Sequence, residues 1–264
     1  MAVTKIKKRK KKQPPAPRPY ALSDLAKLIK NLLAKGHDSY TVFGDFVEMS
    51  AISISNALRH DAELEKTYMS IVKKYDAESV NEFPKMLAGL VQLMETGFGD
   101  HLGDLFNSLE LANKDRGQFF TPYHLSKLMA QLLITDDLKE RAAKRGFVTL
   151  AEPASGSGGM IIAFCEAARN AGLDYQKQVH VEAWDVDHRA ACMTYIQLSL
   201  LHVPAVVVCG NTLSREVRRV LVTPAHVLGG WDVKLKNAQR EDRKRVLMRK
   251  LEKMKKRRKL ARAK

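Results

Sequence analysis

The segment Glu152-Pro153-Ala154-Ser155-Gly156-Ser157-Gly158-Gly159 constrains the fold of this chain more than any other, because an apolar run precedes it and an apolar helical pattern follows. Phe147-Val148-Thr149-Leu150-Ala151 reads as a short strand, and Met160 to Ala171 as a helix. Between them, glycines permit a tight turn and let the backbone approach a ligand closely, while the helix N-terminus offers free N–H groups. The loop lacks the Lys and Ser/Thr of a phosphate-binding P-loop, and its GxGG spacing is not the GxGxxG dinucleotide fingerprint. On its own it is open to two readings, a tight turn or a cradle for a bulky ligand lying across strand ends.

The alternation continues downstream. Val179 to Trp184 reads as a strand, Arg189 to His202 as a helix, and Ala205-Val206-Val207-Val208-Cys209 as a third buried strand. Strands alternating with helices predict an α/β fold, the start of a doubly wound, Rossmann-like parallel sheet. Ahead of it, Leu22, Leu25, Leu28, Ile29, Leu32 and Leu33 recur at helical spacing behind the candidate caps Ser23 and Asp24, and Gly36 stops that helix. Similar runs at 61–75, 80–95 and 100–112 predict an N-terminal helical domain over 20–112. A length of 264 residues accommodates both. Cys165, Cys192 and Cys209 are far apart and lack CxxC spacing, so buried thiols are expected rather than a disulfide framework or a zinc site. No apolar run approaches the roughly 20 residues that cross a bilayer, and the opening lacks the apolar core of a secretory signal, which points to the cytoplasm.

The net charge of +16 resides in the ends. Residues 1–20 hold eight Lys/Arg and no acid, and residues 234–264 hold sixteen against three, which leaves 21–233 at a net −5. Phosphate binding, and DNA as its source, is therefore expected of the tails and with little sequence preference; solvated tails that only aid solubility are the competing reading. Like-charge repulsion over Lys5 to Lys12 and the prolines that follow predict a disordered tail over 1–19. From Arg240 onward a basic helical tail is expected, with a sparse apolar stripe at Val246, Leu247, Leu251 and Met254 that needs a partner surface to order it.

An acid at the end of the second strand would complete a cradle, since a carboxylate there can accept hydrogen bonds from both hydroxyls of a ribose. Asp185 holds that position, and Asp187 suits a helix cap. Trp184 and Val186 flank Asp185 and are placed either to pack on a ligand ring or, for Trp184, to join the core. Earlier in the chain, Thr121 suits an N-cap and Pro122 the first turn of a helix over His124 to Ile134, so that exposed N–H groups can hold a carboxylate.

Four motifs occur together and in order: Gly117-Gln118-Phe119-Phe120-Thr121-Pro122, Glu152 to Gly159, Asp185-Val186-Asp187, and Gly210-Asn211-Thr212-Leu213. Over residues 98–214 the chain resembles the adenine-N6 DNA methyltransferases that serve as modification subunits of type I restriction systems. The resemblance implies S-adenosylmethionine as cofactor and a methyltransferase-like domain over 113–233, followed by the basic tail 234–264. It implies that the helix start after Thr121 meets the methionine carboxylate, that Glu152 meets the ammonium, and that Asn211, where many relatives have Asp, reads the adenine amino group. The cofactor site so implied comprises Gln118, Phe119, Phe120, Thr121, Pro122, Glu152, Ala154, Ser155, Gly156, Ser157, Gly158, Asp185, Val186 and Asn211.

The family's Asn/Asp-Pro-Pro-aromatic motif, which orients the target amino group and stacks on the flipped base, does not occur in this sequence. The nearest segment is Thr223-Pro224-Ala225-His226, after Val220-Leu221-Val222. Thr223, Pro224 and His226 are accordingly the catalytic candidates, Thr223 to accept a hydrogen bond and His226 to stack. Two functions follow from the resemblance: an adenine-N6 DNA methyltransferase of reduced activity whose target is chosen by a separate specificity subunit, or a non-catalytic cofactor- and DNA-binding module that regulates or interferes with a restriction–modification complex. Methylation of RNA or protein is a third.

Overall fold

The computed structural model describes residues 20–109, 111 and 120–262; the expected tail 1–19 and the site candidates Gln118 and Phe119 lie outside the described residues. Six helices lead: α1 (Leu22–Leu33), α2 (Ser39–Leu58), α3 (Ala62–Val72), α4 (Ala77–Val80), α5 (Glu82–Glu95) and α6 (His101–Ser108). Four of them begin on an aspartate, Asp38, Asp61, Asp76 and Asp100, whose side chain accepts from backbone N–H groups of the first turn. In α1 the helix starts earlier than the caps Ser23 and Asp24 suggest: Ala21 holds the cap position, and Asp24 reaches back to its N–H at 2.9 Å.

Next come α7 (Tyr123–Leu133), α8 (Asp136–Arg145), β1 (Val148–Glu152), α9 (Gly159–Asn170), α10 (Tyr175–Gln178), β2 (Val179–Asp185), α11 (His188–Leu200), β3 (Ala205–Asn211), β4 (Glu216–Val222), α12 (Pro224–Leu228) and α13 (Trp231–Arg262). The sheet runs β1-β2-β3-β4. The first three strands are parallel, with Val148 opposite Val179 and Val181 opposite Ala205, while β4 turns back antiparallel with Val222 opposite Val206. The fold is the expected Rossmann-like α/β arrangement with a helical N-terminal region. One continuous core joins the two, from Leu25, Phe43 and Phe46 in the leading helices to Val181, Val207 and Leu221 in the sheet.

Alternation along the strands divides the sheet into two faces. Val179, Val181 and Ala183 with Ala205, Val207 and Leu221 lie on one face and are buried, with α11 packed on β2 and β3. Every residue of α11 from Ala190 to Ser199 is buried, because α2 covers the side turned away from the sheet. On the other face Thr149, Ala151 and Glu182 are exposed and Trp184 is only half-buried. The described sheet is thus covered chiefly on one face, where a doubly wound sheet has helices on both. The three cysteines are free and buried.

The antiparallel course of β4 decides the fate of Thr223, Pro224 and His226. β4 starts beside Asn211, at the carboxyl ends of the parallel strands, and delivers Thr223 to the opposite end, where its N–H donates to the Ala205 carbonyl at 3.0 Å. The buried Thr223 hydroxyl accepts from the Ala205 N–H and donates to the Val203 carbonyl, both at 2.8 Å. Pro224 opens α12, and His226 is buried against His180 at the foot of β2, 2.9 Å between ring nitrogens. Six steps along β3, at about 3.3 Å each, place this segment about 20 Å from the strand ends that carry the glycine loop. Among the described residues, these three stand apart from the loop, and Thr223 and His226 bond to the opposite end of the sheet. The boundary expected at 233–234 also falls inside a helix, since α13 starts at Trp231, whose buried ring packs edge-on against Phe147 with centroids 5.1 Å apart.

Burial, with help from the neighbouring His226 and against the pull of Asp232, lowers the His180 pKa from 6.5 to about 4. On acidification between these values the unfolded chain takes up a proton that the folded chain refuses, so stability falls from pH 6.5 toward pH 4, by up to about 3 kcal/mol. Urea unfolding at pH 7.5 and 4.5 should show this loss, and His180→Gln should remove most of the difference between the two pH values. A wild-type loss that His180→Gln leaves intact would assign it to other groups.

Candidate functional site

At the carboxyl ends of β1 and β2 the chain builds one compact site. Residues 153–158 form a turn in which Gly156 and Gly158 take left-handed backbone conformations, φ +56° and +97°. A side chain at Gly156 would press on the Phe120 ring, 3.0 Å from the position of its Cβ. The turn is stitched to β2, since Ser155 N–H donates to the Trp184 carbonyl and Gly156 N–H to Asp185 Oδ2, both at 2.8 Å. Thr194 of α11 holds it from behind, donating to the Gly156 carbonyl at 2.9 Å and to the Ser155 hydroxyl at 3.1 Å.

Phe120, Thr121, Ala154, Ser155, Gly156 and Ser157 line a pocket of about 80 Å³ in front of this turn. At roughly 10–15 Å³ of such space per water, it admits an amino-acid-sized group and not a whole nucleoside. The remainder of a larger ligand would lie along the strand ends, past Asp185 and Val186 toward Asn211. The Ser126 hydroxyl also faces the pocket, is fully buried, and has no hydrogen-bond partner among the described residues. A buried hydroxyl without a partner costs free energy, so a polar ligand atom at this place would be stabilising.

Two carboxylates, Asp185 and Glu152, hold backbone N–H groups of the turn beside the pocket. Burial raises the Asp185 pKa, opposed by the N–H groups of Asp187 and Gly156. Burial likewise raises Glu152, opposed by the Ala154 N–H at 3.1 Å, and the nearby Asp185 charge adds to the shift. A ligand bringing a cation and hydroxyl donors would relieve both. Asp187 instead caps α11 through the Arg189 N–H at 2.7 Å, and Trp184 lies on the face opposite Asp185, with Nε1 donating to Glu182 at 2.9 Å. Val186 is exposed, and its carbonyl accepts from Arg218 at 2.5 Å.

Other candidates are placed differently from expectation. Pro122, not Thr121, holds the cap position of α7, and no side chain caps that helix, so its first N–H groups stay available. Asn211 turns its carbonyl oxygen back to the N–H groups of Leu213 and Ser214, at 2.9 and 3.2 Å. Its NH₂ is therefore the group it can offer a ligand ring.

Asp100, the cap of α6, is a site residue that sequence reasoning missed. Buried in the pocket wall, it accepts from Gly103 N–H at 3.0 Å, from Gln197 Nε2 at 2.9 Å and from the Ser157 hydroxyl. Gln197 Nε2 also donates to the Ser157 carbonyl at 2.7 Å. The acidic cap was readable in the sequence; its partners, remote along the chain, were not.

The parallel strands, the glycine turn and an acid after the second strand define an α/β protein with an open cradle at its strand ends. The chain belongs to the N-6 DNA Methylase family, whose model matches residues 97–249. Solved structures similar to it include the following two. A putative class I S-adenosylmethionine-dependent methyltransferase from Listeria monocytogenes is 14% identical, with a TM-score of 0.35, over 70% of this chain and 51% of that one. A type I restriction-modification system methyltransferase subunit from Streptococcus thermophilus is 16% identical, with a TM-score of 0.35, over 69% and 55%. The chain thus spans about half the length of each. No curated protein matches it.

Asp100→Ala would leave three donors without their acceptor in a water-poor setting, and should lower the unfolding free energy by about 2–4 kcal/mol. Urea denaturation near neutral pH measures this; a loss below about 0.5 kcal/mol, the level of an ordinary surface substitution, would show that the network does not hold the loop.

Proposed function

We propose that the chain binds S-adenosylmethionine at the strand-end pocket and serves methyl transfer to adenine N6 in DNA. The observation that carries this reading is the convergence, at one end of the sheet, of the glycine turn, the open N-terminus of α7, the unpartnered Ser126 hydroxyl and the acids Glu152 and Asp185. The residues fit such a cofactor: N–H groups after Pro122 suit its carboxylate, Glu152 its ammonium, Asp185 its ribose hydroxyls and the Asn211 NH₂ a ring nitrogen. When bound, the cofactor supplies an electrophilic methyl group. Thr121, Phe120 and Val186 exclude water around it, and the turn fixes its orientation through backbone contacts. DNA is held through phosphates, by the tail 1–19 and by α13, which carries fifteen Lys/Arg and four acids in its sequence. Target choice rests with a partner specificity subunit.

A second reading, a module that binds cofactor and DNA without turnover and so regulates a restriction–modification complex, is favoured by one observation. The only segment proposed to receive the target base, Thr223 to His226, lies at the far end of the sheet. Methyl transfer from labelled S-adenosylmethionine to DNA, with and without candidate partner subunits, separates the two. N6-methyladenine formed by the chain supports the first; cofactor binding without transfer to any DNA supports the second.

In either case Asp185→Ala should weaken S-adenosylmethionine binding at least tenfold by calorimetry, since hydrogen bonds to a charged acceptor are worth about 1.5–3 kcal/mol each. Unchanged affinity would refute the site. If the tails meet about six phosphates, the logarithm of DNA affinity should fall against log salt with a slope near −5, and deleting 1–19 and 240–264 should flatten it. Equal slopes would place the contacts on the folded body.

A further inference from the structure

Behind the cofactor cradle, on the helix-covered face of the sheet, a second cluster of reactive side chains has no part in the pocket. His188 and Cys192 stand four residues apart on α11 and so share one face of that helix. Glu48 of α2 faces them, and the carboxylate, imidazole and thiol ligand atoms all lie within 4.8 Å of one another. We propose that Glu48, His188 and Cys192 form a zinc site that clasps α2 to α11.

The sulfur distances suit that ion. Zinc–sulfur bonds of about 2.3 Å and zinc–nitrogen or –oxygen bonds of about 2.0 Å, at tetrahedral angles, separate sulfur from its neighbouring ligands by about 3.5 Å. Cys192 Sγ lies 3.4 Å from Glu48 Oε2 and 3.7 Å from His188 Nε2. Glu48 Oε2 and His188 Nε2 are in direct contact, closer than the roughly 3.3 Å that separates two such ligands of one zinc ion, so the His188 ring must swing outward to admit it. A mixed nitrogen, sulfur and oxygen set selects a borderline-soft metal; calcium and magnesium take all-oxygen shells.

Arg219 of β4 is compatible with an ion here. Its Nη1 bonds Glu48 Oε1 at 2.7 Å, the oxygen turned away from the sulfur, which is how an outer hydrogen bond orients a ligating carboxylate. Its 3.4 Å approach to His188 Nε2 is the contact that metal binding would open. With three protein ligands a fourth position remains, and the His188 side chain, 40% exposed, leaves a side from which water can fill it. A simple Glu48–His188–Arg219 ion pair accounts for three of these groups. Without an ion the Cys192 thiol donates to Glu48 Oε2 at 3.4 Å; with one it would bind as thiolate, and that difference is what the cobalt band reads.

The test uses the full chain, purified without a histidine tag. Elemental analysis should find about one zinc per chain, and cobalt(II) substitution should produce a thiolate-to-cobalt charge-transfer band. Cys192→Ala should abolish that band, and His188→Ala should weaken zinc binding at least tenfold, whereas Cys209→Ala should keep both. Because Cys192 is buried and its variant can fail to fold, thermal unfolding supplies a second readout: added zinc should raise the wild-type Tm but not that of His188→Ala. A wild-type chain that neither retains zinc nor takes up added zinc or cobalt overturns the proposal. So does a charge-transfer band that survives Cys192→Ala, or a zinc-induced rise in Tm that His188→Ala preserves.

Discussion

The buried carboxylate of Asp100 is the contact on which the cradle depends. It takes hydrogen bonds from α6, from the glycine turn and from α11, in a setting where each donor has lost its water. In such a setting a satisfied polar group is specific because an unsatisfied one is costly. Gln197 extends the unit, giving its NH₂ to Asp100 and to the Ser157 carbonyl and taking the Leu102 N–H at 3.2 Å. The turn is therefore held from the helical side by Asp100 and Gln197 and from the sheet side by Asp185. Neither the leading helices nor the strands would place it alone, which gives a physical reason for the continuous core between them.

How much of this was legible follows from the range of each interaction. The three parallel strands, the turn and the helices after them were readable because each is a local period bounded by glycine or a cap. Asp185 was readable because strand length fixes where the acid falls. Thr223 to His226 were misplaced because Val220-Leu221-Val222 reads alike in either strand direction. A signal was present all the same: four residues separate Asn211 from Glu216, too few for the crossover of a dozen or more that a parallel strand requires. A hairpin, and with it the far end of the sheet, was the only course open to β4.

Asp100 and the Glu48 cluster were hidden for another reason. Ser157 and Gln197 lie 57 and 97 residues from Asp100, and His188 lies 140 from Glu48. No window of sequence contains such pairs. The spacing His188-x-x-x-Cys192 was visible on one helix face, but a search for CxxC spacing passes over it. Its third member could be found only once α2 had been packed across α11.

On the proposed function, the two ends of the sheet do different work. The strand-end pocket sits at the carboxyl ends of β1 and β2, whereas α13 starts at the opposite end, where Trp231 meets Phe147 just ahead of β1. The two are separated by about one strand length, roughly 20 Å, which is less than one turn of duplex DNA at about 34 Å. One turn of a duplex held at the start of α13 is therefore long enough to span that separation. Proximity alone does not bring an adenine to the pocket, because a base must leave the stack to be modified, at a cost of a few kcal/mol. Phosphate contacts that are indifferent to sequence cannot meet that cost at one chosen base. On the proposed reading that choice falls to a partner specificity subunit, acting at the end of the sheet from which Thr223 to His226 are absent.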